Sequence, residues 1–207
     1  MHIEILSEEQ KKLLPYIAQF KRSFYLVGGT AIALHIGHRQ SIDFDLFTFS
    51  KINKSRLKER LWKIPFKKEI IFEDVDQLHL SINGVKVTFF QYPYSIEHTQ
   101  KLNNIITLPN LLSLSAMKAF ALGRRAKWKD YVDLYFVIKN HYPIIEIVYM
   151  TEKLFDTQFS EKLFLQQLTF HKDINFAEKV EYMPGYEVNE EVIKAFLIDK
   201  ALEQMIL

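Results

Sequence analysis

The chain has 207 residues and a formal net charge of +2; 48% of its residues are hydrophobic, 14% aromatic and 25% charged. That length fits one domain, or one domain with a helical annex, and the composition excludes intrinsic disorder and collagen-like or low-complexity architectures. Cysteine is absent, which excludes disulfides, zinc–thiolate sites and thiol nucleophiles.

The start, Met1-His2-Ile3-Glu4, has neither the basic nor the apolar region of a secretory signal. The most apolar run, Phe24 to Ile36, is shorter than the roughly 20 residues that span a bilayer, so a soluble cytoplasmic protein with no membrane partner is expected. No repeat of 20–50 residues and no Gly/Ser/Pro-rich linker divides the chain. Ser7 to Phe20 reads as a helix with Ser7 as N-cap and Gln10 three residues on. Phe24 to Val27 is a short buried strand that ends at Gly28-Gly29. Thr30 to Ile36 is a helix closed by Gly37. Ile42 to Phe49 alternates as a strand, Lys54 to Leu61 is a polar-faced helix, and Glu69 to Phe72 is a further strand. Leu78 to Ile82, Asn83-Gly84 and Val85 to Tyr92 predict a hairpin, because Asn-Gly tolerates the positive φ that a tight turn requires. Helices are predicted at Asn110 to Arg125, Asp130 to Lys139, 144–154, 160–168 and 189–206. Short β-like runs alternate with helical ones to about Leu108, and the rest is helical. This order implies an α/β or α+β core followed by a helical region.

Three pieces of this pattern carry chemistry. A strand running into Gly28-Gly29-Thr30 and then a helix leaves bare N–H groups at a helix N-terminus, an arrangement that binds phosphate but also occurs in plain turns. On a strand, Asp43 and Asp45 point to one face and Ile42, Phe44 and Leu46 to the other. Two adjacent carboxylates repel unless a cation or proton sits between them, and oxygen-only ligation suits Mg²⁺. The alternative is a solvated strand face, although Asp is depleted in strands. Lys118 sits in the apolar helix Leu111 to Leu122, with Arg125 two turns on along the same face. The pair suits a triphosphate or is surface charge snorkelling along the core. Asp130 alone reads as a helix cap, and Asp133 is placed to pair with Lys118 or Arg125.

The segment "FYLVGGTAIALHIGHRQSIDFDLF" resembles the opening motif of the AbiEii/AbiGii toxin nucleotidyltransferases of the polymerase-β-like superfamily: Gly-Gly, a short helix, then Asp-x-Asp on the next strand. "AMKAFALGRRAKWKDYVDLYFV" is similar to the family's second signature, a Lys, an Arg about seven on, then Lys-Asp and a further Asp. The resemblance covers roughly residues 20–140. It implies an α+β fold, with a nucleotidyltransferase-type mixed sheet flanked by helices over 1–107 and a helical region over 108–207 that packs on the core and completes the site. It further implies that Gly28, Gly29 and Thr30 hold nucleotide phosphates, that Asp43 and Asp45 ligate Mg²⁺, and that Lys118 and Arg125 neutralise phosphates, with Lys86 on the same side. Asp133 would orient Lys118 or help the acceptor. The implied reaction is transfer of a nucleotidyl group from an NTP to an RNA acceptor, such as tRNA, or a protein acceptor. The implied setting is a toxin–antitoxin pair, with an antitoxin protein as partner.

One position departs from the superfamily pattern. A third carboxylate is expected after the hairpin in a Lys-x-Asp pattern, and here that stretch is Lys86-Val87-Thr88. Threonine is a poor metal ligand, so a protein of the same fold that binds nucleotide with weakened turnover is the alternative. Histidines His35 and His38 lie at i, i+3, but no HExxH accompanies them, and helix-end histidines are the plainer reading. No G-x-S-x-G, Walker loop or G-x-G-x-x-G is present. Basic residues crowd Lys51 to Lys68, opposed only by Glu59 and Glu69, and Lys118 to Lys129 forms a second cluster. Either is a solvated helix face or a contact for RNA.

Overall fold

Five strands form one mixed sheet in the order β1 (Tyr25–Val27), β2 (Phe44–Thr48), β5 (Val85–Gln91), β4 (Gln77–Ile82) and β3 (Lys68–Asp74). The structure is a computed structural model and describes residues 1–206. Strand β2 runs parallel to β5, and every other pairing is antiparallel. The β4–β5 hairpin turns on Asn83 (φ 53°) and Gly84 (φ 81°), the two left-handed positions that a two-residue turn demands.

Alternation along the central strands divides the sheet into two faces. Phe44 and Leu46, Val87 and Phe89, and Leu78, Leu80 and Ile82 are buried on one face. Phe20 and Phe24 meet Phe89 edge-on there, with ring centroids 5.0 and 5.1 Å away. The other face carries Asp45 and Phe47, then Lys86, Thr88 and Phe90, then Gln77 and His79, and it floors a cleft. Ile42 does not join the buried face: it precedes β2 and is 55% exposed.

Helix α1 (Glu8–Ile17) starts in a full capping box between Ser7 and Gln10, a motif that contributes about 1 kcal/mol. It ends earlier than its apolar pattern suggests and passes into a 3₁₀ turn at Ala18–Phe20. Pro15 sits inside its last turn and removes a backbone donor. Helix α2 (Gly28–Ile36) begins at the glycines themselves and ends at Gly37 in the left-handed conformation (φ 78°). Helix α3 (Lys54–Trp62) follows β2 and is capped by Asn53. A small hairpin of β6 (Gln100–Leu102) and β7 (Ile106–Leu108) was not foreseen in the sequence. Its strands are three residues each, too short for an alternation to show. The remaining elements are helical: α4 (Leu111–Leu122), α5 (Trp128–Asn140), α6 (Ile144–Phe155), α7 (Glu161–Thr169) and α8 (Glu190–Ile206). No described helix is long and apolar enough to cross a membrane.

Candidate active site

The cleft holds about 490 Å³ and lies between the open face of the sheet and helix α4. One end is charged, with Asp45, Lys86, Lys118 and Arg125 among its lining residues. The other end is aromatic: Phe47 packs at 5.1 Å from Phe90 and 5.0 Å from Tyr92, and Tyr94 stands 5.5 Å from Phe120. Arg124 lies 4.3 Å over the Phe120 ring.

Asp45 sits in a row of cross-strand neighbours, Val27–Asp45–Thr88–His79. Thr88 is therefore beside Asp45, and the next residue across the row is a histidine that sequence reading passed over. Burial, then Lys86, lowers the His79 pKa, and its Nε2 lies 2.8 Å from Gln77 Oε1. Asp43 lies just before β2, so the shared-strand-face argument holds only in part, and Asp43 is absent from the cleft lining. Burial, then the charge of Asp45, pushes the Asp43 carboxyl above its usual range, while Lys86 and Lys129 pull it back.

The glycines are explained by what they touch. A Cβ on Gly28 would lie 2.3 Å from Asp45 Oδ2, and φ there is +73°. A Cβ on Gly29 would lie 2.5 Å from Arg39 Nη2. No side chain caps α2, and of its first three residues Gly28 alone lines the cleft. The Thr30 side chain does not offer itself to a ligand. It is buried, and its hydroxyl bonds to Ser41 Oγ at 2.8 Å and to the Asp43 carbonyl, tying helix α2 to the segment that carries Asp43.

Lys118 is buried and already committed. Its Nζ lies 2.6 Å from Asp130 Oδ1 and 3.0 Å from Asp133 Oδ2. Burial disfavours its charge, but Asp130 and Asp133 together hold its pKa above the ordinary lysine value. Asp130 is not a helix cap. The N-cap of α5 is Lys127, without a side-chain bond, and Asp130 turns inward to Lys118. Arg125 lies beyond the end of α4, so it shares no helix face with Lys118. It reaches the cleft from the following turn, 55% exposed, with Nε 3.4 Å from Asp130 Oδ2.

Asp133 is the hub of a buried network. Arg39, 1% exposed, binds it through Nε at 2.7 Å and Nη2 at 2.9 Å, and His38 Nε2 lies 2.8 Å away. Burial pushes the Asp133 carboxyl up, but Arg39 and Lys118, with the hydrogen bonds from His38 and Arg39, hold it well below the usual range. Burial lowers the His38 pKa, and its Nδ1 has no partner, so a neutral ring donating from Nε2 fits. Arg39 and Lys118 then balance Asp130 and Asp133 in charge. Asp133 has no exposed surface, and its Oδ2 lies 3.0 Å from Lys118 Nζ. Arg39 has no role in the sequence reading and His38 reads there as a helix-end histidine, although four consecutive polar residues, His38-Arg39-Gln40-Ser41, between an apolar helix and an apolar strand are a signal.

The second basic cluster is largely ion-paired and the first only in part. Lys58 and Lys54 reach Glu73 on β3 at 2.7 and 3.6 Å, a carboxylate outside the window read in sequence. Lys127 and Lys129 share Glu178, whose pKa falls to about 2. His35 bonds to the Pro109 carbonyl, and no group of three or more His, Cys, Asp or Glu is arranged to hold a metal ion among the described residues.

The sequence model of the family described as "Nucleotidyl transferase AbiEii toxin, Type IV TA system" matches residues 13–204. An uncharacterized protein of Aquifex aeolicus (strain VF5) is 29% identical over 200 residues, 91% of this chain and 94% of that one. The fold is similar to that of MenT4, a nucleotidyltransferase toxin from Mycobacterium tuberculosis H37Rv. That match has a TM-score of 0.64 and 15% identity, and covers 96% of this chain and 82% of the other. It is also similar to JHP933 from Helicobacter pylori, at TM-score 0.50 and 17% identity over 97% of each chain.

Proposed function

The chain belongs to the AbiEii family of nucleotidyltransferase toxins of type IV toxin–antitoxin systems, and on that premise we propose that its cleft transfers a nucleotidyl group from a Mg²⁺-bound NTP to an RNA or protein acceptor. The observation that carries this reading is the polarity of the cleft. Asp45, Lys86, Lys118 and Arg125 line one end, and a wall of aromatic rings lines the other. Triphosphate suits the first and a nucleobase the second.

The donor set fits a hard cation. Two carboxylates, one of them raised by burial and by its neighbour, favour an ion that takes one or two protein oxygens and completes its shell with phosphate oxygens. Asp43 and Asp45 would hold Mg²⁺, which supplies charge neutralisation of the phosphates. The residues of the chain do the rest. The start of α2 at Gly28 faces the phosphate oxygens, Lys86 and Arg125 neutralise the leaving pyrophosphate, and Lys118 places a positive charge fixed by Asp130 and Asp133. Fixed charges of this kind stabilise a transition state without reorganisation.

Thr88 favours a second reading, a nucleotide-binding protein with slow turnover, because a hydroxyl beside Asp45 carries no negative charge. Calorimetric titration of the protein with each NTP in Mg²⁺ tests the shared premise. Binding that disappears in Asp45→Ala is expected, and binding unchanged in the Asp43→Ala/Asp45→Ala double variant refutes the site. Transfer of label from the α-phosphate to total RNA or protein separates the enzyme from the binding protein.

A further inference from the structure

A second, larger depression of about 630 Å³ lies at the far end of β1 and β2 from Asp43, and its lining contains no Asp or Glu. Five cations line it: Lys21, Arg22, Lys51, Arg56 and Arg60. None of the five has an ion-pair partner among the described residues. Two are partly engaged otherwise: Lys21 donates to the Asn104 carbonyl at 3.0 Å, and Arg60 stacks over Phe20 at 4.8 Å. Arg22, Lys51 and Arg56 are exposed, and their side chains make no hydrogen bond among the described residues.

Helix α3 shows how selective this arrangement is. Its Lys54 and Lys58 are neutralised by Glu73, and Lys63 just beyond it by Glu59. Arg56 and Arg60 turn the other way, into the depression. One side of α3 is therefore an ordinary ion-paired surface and the other is an unpaired cationic wall. Unpaired like charges around a concavity repel one another and concentrate field lines there, so the site gains when an extended anion enters. Phe49, 59% exposed, stands on the rim, a flat apolar surface of the kind on which bases stack.

The depression and the cleft are neighbours. Tyr92, Pro93 and Tyr94 line the cleft, while Ser95, Ile96 and His98 of the same strap line the depression. Along β2 the lining passes from Asp45 and Phe47 in the cleft to Thr48 and Phe49 in the depression. Asp45 to Phe49 is four strand steps, about 13 Å at 3.3 Å each.

We infer that the cationic depression lined by Arg22, Lys51 and Arg56 binds the sugar–phosphate backbone of an RNA strand that continues toward the cleft. The inference rests on the nucleotidyltransferase reading only for the direction of the strand; the binding itself needs no turnover. A small free anion would need one focused cradle, whereas these cations are spread around a depression with an aromatic rim, as a backbone with bases requires.

The test is fluorescence anisotropy of a fluorescein-labelled 12-nucleotide single-stranded RNA, without NTP or Mg²⁺, between 50 and 200 mM salt. The Arg22→Gln/Lys51→Gln/Arg56→Gln variant should bind at least about tenfold more weakly. Its log–log salt slope should flatten by about 2, since each neutralised phosphate of a single strand contributes about 0.7. The Lys54→Gln/Lys58→Gln/Lys63→Gln variant removes the same charge from the paired side and should lose less than about threefold. Circular dichroism melts confirm both folds, and Lys51→Gln alone gives a smaller loss in the same direction. Equal weakening by the two triple variants reduces the effect to net charge and overturns the inference. So does a wild-type protein that fails to bind the RNA at 50 mM salt. Complete displacement of the RNA by inorganic phosphate at constant ionic strength would reassign the site to a small anion. Loss of phosphatidylserine-vesicle binding, with RNA binding intact, would reassign it to a membrane surface. A wild-type protein that binds RNA here but neither binds nor transfers any NTP sinks the reading of the cleft and leaves this one standing.

Discussion

Replacing Asp133 with Asn removes one negative charge from a network in which Arg39 and Lys118 are buried with it. Asn keeps one acceptor oxygen and turns the other into a donor aimed at Arg39 or Lys118. Four contacts of 2.7–3.0 Å converge on the carboxylate, and at about 1.5–3 kcal/mol each they would sum to roughly 6–12 kcal/mol. That sum overshoots, because Lys118 keeps Asp130 and the surviving oxygen keeps part of the set. The cost of breaking a buried pair from one side, about 3–5 kcal/mol, is the better guide. For a chain of this size about 4 kcal/mol lowers Tm by roughly 8–16 °C, measurable by calorimetry and by urea melts at fixed slope. The pH profile carries a second signature. The Asp133 carboxyl is depressed in the folded state, so its contribution is complete above the unfolded value near 3.9 and is lost as pH falls through the folded value. The gap between wild type and variant should therefore be constant near neutrality and narrow below about pH 4. A variant melting within about 3 °C of wild type, a change of about 1 kcal/mol, would show that the network is not a single charge-balanced unit.

Two further substitutions probe the buried network and the cleft. Gly29→Ala drives a methyl group to 2.5 Å from a fully enclosed guanidinium and should destabilise by about 1–3 kcal/mol as overpacking. Gly84→Ala, strained by φ alone with open space around it, should cost about 1 kcal/mol; a Gly29→Ala melt no worse than this control would refute the packing argument. Thr88→Asp places a third carboxylate beside Asp45 and should raise Mg²⁺ stoichiometry in the presence of NTP or the transfer rate; a folded variant with neither change removes Thr88 as the limit on turnover.

How far the site was legible in the sequence depended on how local each cause is. The Asn83-Gly84 turn, the Ser7 capping box and the Asn110 cap of α4 are decided by residues within a few positions of one another, and so are the faces of β5 that put Thr88 next to Asp45. Gly28 and Gly29 were noticed as phosphate ligands, but their immediate physical reason is close approach by Asp45 and Arg39, side chains ten or more residues away. Arg39 was passed over because burial of a charge is a property of its partner, and the partner, Asp133, lies 94 residues on. The same limit made Asp130 read as a cap and Lys118 and Arg125 as one helix face: helix periodicity continued through Gly123, where the helix in fact ends. Net charge decides nothing for a related reason. A total of +2 says nothing about distribution, and the structure shows Lys54 and Lys58 neutralised by Glu73 and Lys127 and Lys129 by Glu178, while Arg22, Lys51 and Arg56 have no ion-pair partner among the described residues. Pairing across the fold, invisible to any sequence window, decides which cations are left to meet a ligand.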